Sequence, residues 1–218
     1  MATARLYLDI CRLVLATNRV TPAIMIDSVR MPRVMEEAFV ANVPCSEREN
    51  ELLGIVRAAI MRLAAAGANA VCAACNTVQP AFLSEAARCQ VRPIGIVDAA
   101  LAGVRRAGCR SALVLGSASA RRRDVYGAAA RALGISTTYP TDSEQAEVSR
   151  AILELTHERV TDSVIATITS VCRRHERGTD CVLLGCTDLS QVRDEPLGAY
   201  PVIDSLSELS VAGAAFLR

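Results

Sequence analysis

An eleven-residue unit occurs twice in this chain, and it constrains fold and chemistry together. Gly67-Ala68-Asn69-Ala70-Val71-Cys72-Ala73-Ala74-Cys75-Asn76-Thr77 can be laid over Gly178-Thr179-Asp180-Cys181-Val182-Leu183-Leu184-Gly185-Cys186-Thr187-Asp188. In both, a glycine closes a helical stretch, an apolar run follows, and a cysteine stands eight residues after the glycine. Each unit leads on to a proline, a short apolar strand and an aspartate, at Pro93 to Asp98 and at Pro201 to Asp204. Two such halves facing each other would present two thiols across one cleft.

The same alternation of short apolar runs and helical periodicity fills the chain. Leu6, Ile10, Leu13 and Val14 predict a helix over 4–16, and the apolar run 23–26 reads as a strand. Ser46 with Glu49, and Thr141 with Glu144, have the spacing of capping boxes opening helices over 46–66 and 142–157. Strands are predicted at 70–74, 94–97, 112–116, 135–139, 181–184 and 202–203. Helices are predicted at 78–89, 99–107, 120–133 and 162–177, with a last one at the carboxyl end. Strands that alternate with helices and lack hairpin turns make parallel sheets, and right-handed crossovers put ligands at the carboxyl ends of the strands. The predicted fold is α/β: two similar lobes, each a parallel sheet flanked by helices, with the active site in the cleft between them. The repeat divides them as 1–98 with 205–218, and 99–204.

Composition removes several function classes. With 218 residues, 51% apolar and 22% charged, the chain is globular and long enough for a sizeable core. No apolar run reaches the roughly 18 residues of a membrane helix, and Arg5, Asp9 and Arg12 argue against a secretory signal. All 24 basic residues are arginine. A pyridoxal-phosphate enzyme needs its own lysine, so that class is excluded, and a lysine-dependent phosphate loop is disfavoured. A net charge of +1 is no nucleic-acid footprint, and Arg121, Arg122 and Arg123 read as a solvated helix face. Nine cysteines without a secretory signal suit reduced thiols in the cytoplasm. No cofactor and no metal is called for. Cys72-Ala-Ala-Cys75 could be a redox or metal pair, but Cys72 falls inside a strand pattern and no second pair completes a zinc site. His157 and His175 lie in helices beside charged residues and read as surface groups, and Asp98 and Asp204 as caps of the helices that follow.

Each repeated cysteine sits between a strand end and a helix start, where amides favour a thiolate. Asn76, Thr77 and Thr187 supply short polar groups that can hold a carboxylate between the thiols. A thiolate on one face of a carbon and a thiol on the other form a two-base device: one removes a proton, the other returns one to the opposite face, and the centre is inverted.

Ala74-Cys75-Asn76-Thr77 and Leu184-Gly185-Cys186-Thr187-Asp188-Leu189 resemble the paired cysteine motifs of the aspartate/glutamate racemase family. The resemblance extends to Ile26-Asp27-Ser28, Val114-Leu115-Gly116-Ser117, Asp124-Val125-Tyr126 and Val202-Ile203-Asp204-Ser205. It implies cofactor-independent racemisation or epimerisation of an amino acid, and a homodimer. By it Cys75 and Cys186 are the acid/base pair, Asn76, Thr77 and Thr187 hold the carboxylate and amino groups, and Ser117 lies in a substrate-binding loop. A family lysine for the distal carboxylate falls near His157, and the family arginine near Arg30 and Arg33, which flank Pro32. The family pattern starts with a strand and a Gly-Gly-Met-Gly-Pro turn before the Ala-Thr that resembles Ala2-Thr3. The expectation is therefore a first lobe completed by upstream sequence or a partner strand, or rearranged. Gln79 and Leu209 stand where histidines are usual. A non-catalytic or partner-dependent homologue, and a decarboxylase or isomerase of the same superfamily, are the competing readings.

Overall fold

The computed structural model describes residues 2–17, 21–41, 46–157 and 159–217. Two parallel sheets form, one of two strands and one of four. Helices α1 (Ala2–Thr17), α2 (Arg33–Ala41) and α3 (Ser46–Ala65) precede β1 (Ala70–Cys72), α4 (Gln79–Arg88), β2 (Arg92–Ile94) and α5 (Ile96–Arg106). Then come β3 (Ser111–Leu115), α6 (Ala118–Arg122), α7 (Gly127–Ala132), β4 (Ser136–Thr138), α8 (Asp142–Thr156), α9 (Asp162–His175), β5 (Cys181–Leu184), a 3-10 turn (Thr187–Val192), β6 (Val202–Asp204) and α10 (Ser205–Phe216).

The larger sheet has the order β4-β3-β5-β6, all parallel, with Leu113 beside Val182 and Leu183 beside Ile203. Its strands alternate faces as the two-residue period requires. Ala112, Val114, Cys181 and Leu183 join a core with α1, α5 and α10, while Leu113, Leu115, Val182 and Leu184 join one with α8 and α9. Burial of both faces explains the unbroken apolar runs. The smaller sheet pairs β1 with β2, Val71 beside Pro93, and rests on α3 and α4 through Ile60, Phe82 and Ala86. The repeat thus becomes two sheets of unequal size. In packing, α1 and α10 are shared elements: Leu6, Ile10 and Val14 recur every turn on α1 and lie in the core of the larger sheet with Leu206 and Leu209.

Local signals explain several boundaries. Gly67 takes φ of +94° after α3, a conformation that L side chains rarely adopt. The Thr141–Glu144 capping box opens α8 as predicted. The Ser46 and Glu49 side chains lie outside the described residues. Two expectations differ from the structure. The run 23–26 has no regular secondary structure, and Met25 and Ile26 are 46% and 49% exposed; no neighbouring strand pairs with it among the described residues. The helix predicted over 120–133 is broken in two, because Asp124 adopts φ of +46° between α6 and α7. Helix α2, over a stretch to which the sequence pattern assigned no element, starts behind Pro32, whose carbonyl accepts from the Met35 amide at 2.9 Å. No described helix is long and apolar enough to cross a membrane.

Candidate active site

Cys75 lies just beyond β1 and Cys186 just beyond β5, at the carboxyl ends of their strands. Both are partly buried and neither is in a disulfide. The two motifs touch. Thr187 Oγ1 donates to the Ala74 carbonyl at 3.2 Å, tying the residue after one cysteine to the residue before the other. Burial raises the Cys186 thiol well above its ordinary value, and the charges of Asp188 and Cys75 raise it further. Cys186 at rest is therefore a protonated thiol, and Cys75 is close enough to act on its ionisation. The Cys186 thiol donates to Asp188 Oδ2 at 3.7 Å. Burial raises the Asp188 carboxyl too, against the lowering effect of that hydrogen bond. Both groups are shifted upward, the thiol from the higher starting point, so at rest the proton stays on Cys186 and the Asp188 carboxylate accepts its hydrogen bond. Asp188 is a site neighbour that the sequence reading missed; its position two residues after Cys186 is the signal that could have found it.

Glycines let the strand ends meet. A Cβ on Gly116 would stand 3.1 Å from the Gly185 carbonyl, and one on Gly185 would stand 3.2 Å from the Leu115 carbonyl. The Gly185 amide donates to that carbonyl at 2.7 Å, fixing Cys186 at the end of β5.

The remaining candidates sort by what they touch. Thr77 Oγ1 and Ser117 Oγ are 2.9 Å apart, and Ser117 Oγ also caps α6 by accepting from the Ala120 amide at 3.1 Å. Two hydroxyls have two hydrogens, and their mutual bond uses one, so a donor is left for an anion whichever way it points. Asn76 is different from expectation in its surroundings. It is 2% exposed, its Nδ2 donates to Ser205 Oγ at 3.0 Å, and its Oδ1 accepts from Tyr126 OH at 2.5 Å. Both ends of its amide are engaged by protein. Arg33 and His157 meet, with Arg33 Nη2 at 2.5 Å from His157 Nε2 and Arg33 Nε on Glu37 at 2.8 Å. His157 ends α8, whose Leu155 carbonyl accepts from Gln191 Nε2, which also donates to the Asp188 carbonyl. That pair therefore borders the loop of Cys186. Arg30 is exposed in the segment before α2. Helix α2 bridges the halves: Met35 packs with Leu52 and Val78 beside Cys75, while Val40 joins the core of α8 and α9.

A family model for Asp/Glu/hydantoin racemases matches residues 1–211. The chain belongs to that family. Solved structures agree in fold. A candidate Asp/Glu racemase from Yersinia pestis superposes with a TM-score of 0.82 at 20% identity, over 99% of this chain and 94% of that one. An aspartate racemase homologue from Pyrococcus horikoshii gives 0.76 at 22% identity, over 99% and 93%. Allantoin racemase from Klebsiella pneumoniae gives 0.58 at 16% identity, over 97% and 82%. In this racemase-family chain the alternative redox reading of Cys72 with Cys75 is disfavoured by place: Cys72 lies within β1, and burial pushes its thiol up to about 11. A redox cysteine needs an accessible thiolate.

Proposed function

We propose that the protein inverts the α-carbon of an amino acid by two-base proton transfer between Cys75 and Cys186, with an acidic or broadly polar side chain as substrate class. The observation that carries the reading is the contact of the two cysteine motifs, Thr187 on Ala74, together with the influence of Cys75 on the Cys186 thiol. In one direction the Cys75 thiolate takes the Cα proton and the Cys186 thiol supplies one to the opposite face. In the other direction Cys186 must first lose its proton, and Asp188 is the acceptor at hand. General bases placed this way contribute about 10² to 10⁴ in rate. The Thr77–Ser117 hydroxyl pair has a donor for the α-carboxylate, and Arg33 with His157 offers a cationic and polar edge for a distal one. Such an edge favours an acidic amino acid over an uncharged hydantoin ring. The absence of any lysine is consistent with chemistry that uses no pyridoxal Schiff base.

Solvent deuterium incorporation at Cα, followed over a panel of single-enantiomer amino acids that includes both enantiomers of aspartate and glutamate, tests the reading. Exchange with inversion of at least one member is the expected result. No exchange with any member would overturn it in favour of a non-catalytic homologue.

A further inference from the structure

One side chain touches both cysteine motifs. Tyr126 is 1% exposed and wedged between them. Its hydroxyl donates to Asn76 Oδ1, next to Cys75. Its ring edge lies against Gly185, next to Cys186, where an added Cβ would stand 3.0 Å from Tyr126 Cε2. Ser205, at the start of α10, supports the same Asn76 amide from the other side.

The backbone is shaped to deliver this residue. Asp124 adopts φ of +46°, and its carboxylate occupies the place a Cβ would take at Gly127, so only glycine fits there. Tyr139 OH donates to Asp124 Oδ1 at 3.0 Å, and Arg131 pairs with the other oxygen at 3.3 Å. The turn that breaks the predicted helix is thus pinned on both sides, and Tyr126 follows it directly. The Asn76 amide is held at both ends, its oxygen by Tyr126 and its nitrogen by Ser205.

Resting on the racemase reading for its chemical test, we propose that Tyr126 is a positioning residue: through Asn76 and Gly185 it fixes how far apart, and at what angle, the thiols of Cys75 and Cys186 stand. Displacing reacting groups by about 1 Å can cost about 10² in rate. Replacing Tyr126 by Phe keeps the ring on Gly185 and removes the hydroxyl that donates to Asn76 Oδ1. A carbanion formed at one thiol then waits longer for its proton from the other, and more often recovers a solvent-derived proton on the face it came from.

The test compares wild type, Tyr126→Phe and Ser205→Ala in two ways. The first is the ratio of Cα deuterium in recovered substrate to that in product during early turnover. A fall in stability or in active fraction lowers both amounts together and leaves the ratio unchanged, whereas misplacement of the thiols raises it in both variants. The second is independent of turnover: bridging of Cys75 to Cys186 by the bifunctional thiol reagent dibromobimane, read by peptide mass mapping. The bridged fraction falls several-fold in Tyr126→Phe, with singly alkylated Cys75 or Cys186 in its place. An unchanged ratio, or an unchanged bridged fraction, overturns the proposal. If wild type exchanges no amino acid, the racemase reading fails and the bridging result alone decides the role of Tyr126.

Discussion

Cys75 follows a three-residue strand with one described neighbour, whereas Cys186 follows β5, which pairs with β3 on one edge and β6 on the other. Their surroundings differ as well. Cys75 packs beside Met35, Leu52 and Val78, and Cys186 on the core of α8 and α9, where its thiol donates to the carboxylate of Asp188. Equal spacing in sequence has therefore produced two thiols with unequal strand support. Under the proposed two-base mechanism, the two faces of one carbon are served by unequally supported groups. Mirror-image amino acids have equal free energy in water, so kcat/KM must match in the two directions however different the two thiols are. The asymmetry shows in kcat and KM taken separately, in partial reactions and in stability.

The largest effect should come from removing either thiol. Cys75→Ser and Cys186→Ser each lower racemisation by at least about 10³, because a hydroxyl is too weak an acid to supply the anion that takes the proton. Polarimetry on purified variants checks this, and a variant that retains full activity would make its cysteine structural.

Asp188→Asn should be next. It leaves the Cys186 thiol a neutral partner with no proton acceptor, and lowers kcat by about 10². Cα exchange should fall most for the enantiomer that Cys186 deprotonates. An equal fall in the exchange of both enantiomers would remove Asp188 from the role of base for Cys186 alone.

The sheets themselves provide a third contrast. The strands β3 and β5 are buried on both faces and paired on both edges, whereas β1 and β2 have each other. Backbone amides of β1 and β2 should exchange hydrogen faster than those of β3 and β5, reporting a lower opening free energy in the smaller sheet. Equal protection would show that the two sheets open as one unit.

The smallest effect belongs to the larger lobe alone. Against the burial that would raise it, the Thr141 amide, His175 and the Thr141 hydroxyl hold the Glu144 carboxyl down to about 2. A lowered carboxyl stabilises the fold above its ordinary value of 4.5, and that contribution is lost as pH falls from 4.5 toward about 2. Glu144→Gln should cost about 1 kcal/mol at neutral pH, as for a lost cap. Its deficit against wild type should shrink across that acid window. Denaturant midpoints at several pH values measure it, and a deficit that does not change with pH would assign the loss to packing.

How much of this was legible in the chain follows from what kind of signal each feature leaves. The helix of Leu6, Ile10 and Val14 and the strand Cys181–Leu184 were readable, because periodicity and unbroken apolar runs report burial directly. That the two cysteines follow strand ends was readable through their repeated spacing. The run 23–26 was misread because apolar composition says nothing about whether a partner strand is present. Asn76 was named for its place beside Cys75, but its partners, Tyr126 and Ser205, lie 50 and 129 residues away and leave no trace near it in the chain. Nor does periodicity reveal that Asp124 turns the chain, since that depends on where Tyr139 and Arg131 stand in space.

The central claim is that each thiol serves one face of the same carbon, and the most direct test is Cα deuterium exchange by the single cysteine variants with each enantiomer separately. With one thiol left, only the proton facing it can be removed. The account predicts that Cys75→Ser and Cys186→Ser each exchange one enantiomer and leave the other untouched, with opposite preferences. Exchange of both enantiomers by either variant, or the same preference in both, would contradict it.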